Sequence, residues 1–380
     1  MDSDIIAATP KLGFGLMRLP KRADDPQKID VDQVRIMVDK FMAAGLTYFD
    51  TAYVYDGGDS ERAIGEALVA RYPRGSYTLA TKINTWFNKG LTAETAKQQL
   101  ATSLERTGAG YFDYYLLHAI MPKNAGTYED FGIWDFVREQ KAKGLIRHWG
   151  FSFHGTPALL RELLDKYPDT EFVQLQINYA DWESREVAAR ENYGICREHG
   201  KPVVVMEPVK GGMLANPPEA VKEVLKAADP AASFASWAIR YAASLEGILT
   251  VLSGMSSVEQ MEDNLSYMAD FKPLSEEEQA VIHKAQETLS AIRSIPCTGC
   301  RYCVAGCPMS IPIPGIFSAR NDLMLWNRPD EAKHAYGRAT EKEGAGKASD
   351  CLQCGQCEAA CPQHIAIIDR LAECAEVFES

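Results

Sequence analysis

Eight of the ten cysteines fall into two copies of one pattern near the C-terminus. The copies are Cys297-x2-Cys300-x2-Cys303-x3-Cys307-Pro308 and Cys351-x2-Cys354-x2-Cys357-x3-Cys361-Pro362. Three thiolates two residues apart can wrap three corners of one iron–sulfur cube. The fourth, turned away by its proline, reaches the other cube. The spacing thus assigns Cys297, Cys300, Cys303 and Cys361 to one [4Fe–4S] cluster and Cys351, Cys354, Cys357 and Cys307 to a second. A disulfide framework and a pair of zinc sites are the alternatives. Zinc sites seldom show this doubled run, and the opening MDSDIIAATP lacks a secretory profile that would favour disulfides. Cys196 and Cys374 lie outside the pattern and read as buried structural thiols.

A second set of candidates is dispersed. Asp50 lies in the apolar run TYFDTA, with Tyr55 just beyond it. Lys82 stands near the end of YTLATKI, and His118 ends FDYYLLH. Singly, each has a plain reading as a turn aspartate, a surface lysine or a satisfied histidine. Together they could reduce a carbonyl. That reaction puts a hydride on carbon and a proton on oxygen, where negative charge develops. Tyrosine is a poor acid, with a pKa of about 10. A nearby ammonium lowers that value by favouring the phenolate. Lys82 could act so on Tyr55, Asp50 could hold Lys82, and His118 could orient the carbonyl or assist the proton transfer.

The fold must bring these residues together. At 380 residues the chain is longer than a cluster-binding module requires, and 46% hydrophobic content supports a substantial core. Eight short apolar runs, at 12–17, 47–52, 77–83, 112–118, 148–153, 172–179, 202–207 and 248–254, alternate with helical patterns. One helical pattern ends at Gly45, a C-cap, and another starts at Ser60, an N-cap. Strands buried on both faces read as such runs. Eight strand–helix units in series predict a (β/α)8 TIM barrel, which carries its chemistry at the C-terminal strand ends. A doubly wound sheet is the runner-up, but the Gly-x-Gly-x-x-Gly turn it would usually carry is absent. A helix over 275–292 joins the barrel to the cysteine region, and Ile295-Pro296 breaks it. The expected domains are 1–294 and 295–380.

With these motifs in view, residues 11–265 resemble the aldo–keto reductases. The segments carrying the resemblance are FDTAYVYDGGDSERAIGEAL, ATKINTW, FDYYLLHA, IRHWGFS, QINY and SGMSSVEQMEDNL. Asp50, Tyr55, Lys82 and His118 fall on that family's catalytic tetrad. The whole chain is similar to the subgroup with a C-terminal ferredoxin domain carrying two [4Fe–4S] clusters. The long stretch between its cysteine runs resembles the α-helical kind of ferredoxin. The resemblance implies an NADP(H) cofactor, with NAD(H) as an alternative. Ser152 and Gln176 would hold the nicotinamide carboxamide, although Phe153 replaces the family's usual asparagine. Met206 replaces a tyrosine that stacks on the ring. Gly254, Ser256, Gln260, Asp263 and Asn264 would meet the adenosine phosphate end, and Gly15, Met17, Arg18, Asp50 and Pro208 complete the cofactor set. Arg240 is a further candidate contact or else a plain helix-surface residue. Trp86, Phe87, Phe153 and Trp182 could line an apolar substrate pocket.

The expected function is NAD(P)H-dependent reduction of an aldehyde or ketone, or the reverse alcohol oxidation. The clusters would pass electrons to or from a redox partner, a ferredoxin or a flavoprotein. The alternatives are an electron-transfer or docking subunit, and a reductase whose clusters are structural or sense oxygen. A net charge of -12 argues against nucleic acid as a partner, and no apolar run is long enough to span a bilayer. Clusters of this type call for a reducing compartment, so the expectation is a cytoplasmic protein of an anaerobic or microaerobic host.

Overall fold

The eight apolar runs become eight parallel strands that close into a barrel. In a computed structural model describing residues 9–86, 90–292, 294–297, 299–342 and 344–380, they are β1 (Leu12–Gly15), β2 (Tyr48–Asp50), β3 (Thr78–Ile83), β4 (Phe112–Ile120), β5 (Ile146–Phe153), β6 (Phe172–Gln176), β7 (Val203–Met206) and β8 (Ile248–Ser253). Neighbours follow sequence order, and β8 pairs back onto β1. Closure excludes a doubly wound sheet. Every residue of β2, β4 and β8 is buried, as strands covered on both faces must be.

Helices between the strands supply the outer layer. Val31–Ala43 buries Val34, Met37, Val38 and Phe41, whose spacing is one helical face. Phe41 meets Phe49 of β2 edge-on, with 5.2 Å between ring centroids. The chain leaves this helix through Gly45 at φ +78°, as expected of a C-terminal glycine. Thr92 caps Ala93–Thr107 with a reciprocal Thr95 contact, and Pro157 opens Pro157–Lys166 behind its cap Thr156.

Ser60 departs from expectation. The helix after β2 is Asp59–Ile64 with Gly58 at its N-cap, so Ser60 lies inside it. The Ser60 hydroxyl is buried, donates to the Leu16 carbonyl at 2.9 Å and lies 2.8 Å from Thr51 Oγ1. Tertiary contacts thus override a local capping preference. A π-helical turn, Gly65–Val69, follows. A Cβ at Gly65 would lie 2.9 Å from the Arg106 carbonyl oxygen, so glycine is required there.

The chain divides into two compact units, one running to Asn216 and resuming over Leu225–Ile282, the other made of Pro217–Val224 with His283–Ser380. The division falls inside the helix Glu276–Ala291. The second unit is helical among its described residues. Its main helices are Ile313–Trp326, Pro329–Thr340 and Ile367–Phe378, around a core that includes Ile311, Ile316, Phe317 and Leu371. The doubled cysteine run is also doubled in backbone. Gly299 and Arg301 flank Cys300 with positive φ, and Gln353 and Gly355 flank Cys354 in the same way. Short helices Tyr302–Ala305 and Gln356–Ala359 follow at matching places. Among the described residues no helix is long and apolar enough to cross a membrane.

Candidate active site

Asp50 ends β2, Lys82 is the penultimate residue of β3, and His118 lies near the end of β4. Tyr55 is carried in by the β2 loop, which hugs β3 through Thr51 N–H to Ala80 O at 2.9 Å and Tyr53 N–H to Lys82 O at 3.3 Å. Four dispersed residues therefore converge at the C-terminal mouth of the barrel. Lys82 Nζ donates to Asp50 Oδ1 at 2.5 Å and to the Thr51 carbonyl at 2.7 Å. It also lies 4.9 Å from the centre of the Tyr55 ring. The rings of Tyr55 and His118 meet edge-on at 5.6 Å.

The electrostatics follow from burial. Burial raises Asp50 and works to lower Lys82. Contact with Asp50 and with Tyr55 reverses the effect on Lys82, which stays an ammonium. Burial pushes the Tyr55 phenol up, and Lys82 only partly offsets it. This corrects the expectation of a lowered phenol: desolvation outweighs the ammonium, so Tyr55 keeps its proton at neutral pH. Burial, then the Lys82 charge, holds His118 well below the usual histidine value, so the ring is neutral. Its carbonyl accepts from Tyr128 Oη at 2.6 Å and from Trp86 Nε1 at 3.1 Å.

The residues after Tyr55, His118 and Met206 are left-handed: Asp56, Ala119 and Glu207 at φ +48°, +54° and +56°. Such backbone costs about 1–3 kcal/mol per residue and turns the chain sharply at the mouth. At Ala119 the turn sends its N–H to Ser152 Oγ at 2.7 Å.

Two adjoining cavities open at the mouth. The first is lined by the tetrad with Gly15, Met17, Arg18, Ser152, Met206 and Gly254. The second is lined by Arg18, Pro208, Gly254, Ser256, Gln260, Asp263 and Asn264. Ser256 is not the cap of the helix Val258–Met268; Ser257 is. Ser256 Oγ donates to Arg18 O at 2.7 Å, Asp263 accepts from Ser233 Oγ at 2.9 Å, and Asn264 donates to Ser253 Oγ at 2.9 Å.

The cysteines of the second unit surround two other cavities. Cys297, Cys300, Cys303 and Cys361 line one, and Cys307, Cys351, Cys354 and Cys357 line the next. The fourth cysteine of each run thus crosses over to the other run. All ten cysteines are unpaired in the disulfide sense. Among the described residues, no three metal-binding side chains converge on a single-ion point. Four sulfurs around a gap suit a cube, whereas tetrahedral zinc needs them within about 2.3 Å of one centre. Asn321 exchanges two hydrogen bonds with the Ile295 backbone, at 2.7 and 2.8 Å, pinning the segment before Cys297. Ile311 N–H points at Cys307 Sγ, at 3.5 Å. Burial, followed by the neighbouring thiols of Cys297, Cys300 and Cys357, pushes the Cys303 thiol up to about 11.

Comparison with known proteins agrees with both halves. Residues 11–287 match the Aldo/keto reductase family, and residues 296–366 match a 4Fe-4S dicluster domain. The chain belongs to the aldo/keto reductase family. It is 26% identical over 291 residues to the uncharacterized oxidoreductase YqkF of Bacillus subtilis, covering 68% of this chain and 90% of that protein. It is 27% identical over 276 residues to an L-galactose dehydrogenase of Arabidopsis thaliana, covering 66% and 80%. Among solved structures, an aldo-keto reductase from Bacillus halodurans in its holo form shares 26% identity and a TM-score of 0.60, over 72% of this chain and 91% of that one. A Klebsiella pneumoniae aldo/keto reductase in complex with NADP and acetate shares the fold at 21% identity and a TM-score of 0.58, over 73% and 91%. The chain is accordingly an NAD(P)H-dependent oxidoreductase with a C-terminal iron–sulfur domain.

Not every expected residue of this reductase reaches a cavity. Gln176 lines neither; its Nε2 donates to Asp181 Oδ2 at 3.0 Å. Arg240 is held by both Glu278 oxygens, at 2.7 and 2.9 Å. Phe153 is buried in the barrel core, and Trp182 packs against that core beside Tyr193. Of the three described aromatics, Trp86 lines the tetrad cavity and Phe153 and Trp182 do not. Phe87 lies outside the described residues. Four polar lining residues were missed from sequence: Asp56, His154, Gln174 and Glu207. Strand alternation could have found Gln174, two residues before Gln176 on the same face.

Proposed function

We propose that the barrel mouth reduces an aldehyde or ketone with NADP(H), NAD(H) being the alternative, or runs the same reaction in reverse. The geometry of Lys82, against Asp50 and beneath the Tyr55 ring, carries this reading. When bound, the reduced nicotinamide supplies the hydride. Tyr55 gives its proton to the carbonyl oxygen, and Lys82 stabilises the phenolate left behind. Asp50 fixes Lys82 and compensates its charge in a buried setting. Neutral His118, with Nδ1 buried and without a partner among the described residues, orients the carbonyl. The two adjoining cavities suit a dinucleotide, with the nicotinamide at the tetrad and the adenosine phosphates toward Ser256, Gln260, Asp263 and Asn264.

Two clusters, each held by three cysteines of one run and the last cysteine of the other, exchange single electrons with a ferredoxin or flavoprotein partner. The unit that holds them is taken as residues 295–380, after a barrel domain of 1–294. Tyr55→Phe tests the acid assignment. Carbonyl reduction should fall at least a hundredfold, with nucleotide affinity nearly intact. Near wild-type turnover would remove Tyr55 from that role. Anaerobic titration with NADPH tests the wiring. Bleaching of cluster absorbance supports electron exchange, and absence of bleaching with and without substrate argues against it.

A further inference from the structure

Glu61 is a buried carboxylate that the proposed chemistry does not use. It lies fully buried in the helix Asp59–Ile64, and both its oxygens are engaged. Oε1 accepts from the Thr81 hydroxyl at 2.7 Å, and Oε2 accepts from Arg106 Nη1 at 2.9 Å. Thr81 precedes Lys82 on β3, so the two side chains leave the strand on opposite faces. Arg106 comes from the last turn of Ala93–Thr107 and is mostly buried.

The same Nη1 donates to the Tyr53 carbonyl at 2.9 Å, and the guanidinium lies 4.3 Å from the centre of the Tyr53 ring. Tyr53 N–H already donates to the Lys82 carbonyl, so both backbone groups of Tyr53 are held. At the other end of the loop, Gly58 at φ +99° packs directly on the guanidinium. A Cβ there would lie 2.5 Å from Arg106 Cζ. Tyr55 stands between these two points. Its segment, 53–58, closes around Arg106 while its ring faces Lys82 at the mouth. A buried ion pair is a weak source of stability, because desolvation offsets its attraction. What this one supplies is a fixed position: Glu61 holds the guanidinium, and the guanidinium holds both ends of the loop.

We infer that Arg106, set by Glu61, is a positioning residue for Tyr55: it pins 53–58 so that the phenol stays over Lys82. This rests on Tyr55 being the proton donor of the barrel mouth. Neither Arg106 nor Glu61 lines either mouth cavity, so both act through Tyr55.

The test is steady-state reduction of a small aldehyde by NADPH with the cluster-loaded full chain, in wild-type and Tyr55→Phe backgrounds. Glu61→Gln combined with Arg106→Met removes both charges together and leaves neither buried alone. In the wild-type background this double substitution should lower kcat by at least about tenfold, since a misplacement of about 1 Å can cost about a hundredfold. NADPH affinity, read by fluorescence quenching, should stay within about twofold. In the Tyr55→Phe background the same substitutions should change the residual rate by less than about twofold, because the group being positioned is already gone. A merely structural role would lower both backgrounds by the same factor. Should the double variant fold poorly, Tyr53→Leu removes only the ring beneath the guanidinium. It should lower kcat by about threefold, and that effect too should vanish in Tyr55→Phe. Wild-type kcat in the folded variants, an equal loss in both backgrounds, or nucleotide affinity falling in step with kcat overturns the assignment. Near wild-type reduction by Tyr55→Phe itself removes the reading beneath it, and the assignment with it.

Discussion

The barrel mouth and the cysteine cages are organised by different means. At the mouth, the two charged groups pair with each other within the chain. Lys82 has Asp50 and the Thr51 carbonyl, and the backbone beyond His118 is tied by Ser152 and Asn124. A closed sheet fixes their positions. In the second unit, the four sulfurs around each gap have no such partners in one another, and the surrounding core is small. One region is preorganised by its own hydrogen bonds. The other is expected to take its final order from what the cysteines hold.

Removing iron should therefore break the two regions apart, and it is the largest effect expected. After anaerobic chelation, amide exchange should show residues beyond about 295 losing protection while the barrel keeps its own. Protection of both regions after complete iron loss would mean that the second unit is preorganised too. Next in size is Lys82→Met, which leaves the Asp50 carboxylate buried and unpaired. The barrel should lose about 3–5 kcal/mol in denaturant unfolding, with cluster absorbance unchanged. A loss under about 1 kcal/mol would show that the mouth does not depend on this pair.

His118 sharpens the contrast through pH. In the unfolded chain it takes up a proton below about 6.5, whereas burial keeps it neutral in the fold. The unfolded state then binds more protons, so stability falls as pH drops below that value. The share from His118 grows as pH falls below that value, and His118→Gln should remove it from the stability–pH curve. An unchanged curve would place the low-pH loss elsewhere. The smallest effect is at Arg18, whose ion pair with Glu207 at 3.2 Å is largely exposed. Arg18→Met should shift stability by less than about 1 kcal/mol, against the large change at Lys82. Equal effects would contradict the weight given to burial.

Much of this was legible in the residue order because the signals were local. Cysteine spacing indicated which cysteines line each gap, and the apolar runs marked all eight strands. Asp50, Tyr55, Lys82 and His118 could be picked out because each follows or ends a strand. What failed depended on side-chain competition. Gln176 looked available until Asp181 claimed it, and Arg240 until Glu278 did. Ser60 looked like a cap, but Leu16 and Thr51 hold it inside the barrel wall. The Tyr55 phenol was expected to fall because the ammonium was visible in sequence and the depth of burial was not.

The most direct measurement compares anaerobic NADPH-dependent reduction of a panel of small aldehydes by Tyr55→Phe and Cys300→Ala proteins. The account predicts that Tyr55→Phe keeps its clusters and loses reduction by at least a hundredfold. It predicts that Cys300→Ala loses a cluster and keeps reduction within a few-fold, because the mouth is complete without it. Near wild-type reduction by Tyr55→Phe, or loss of reduction by a Cys300→Ala protein whose barrel still binds NADPH, would contradict it.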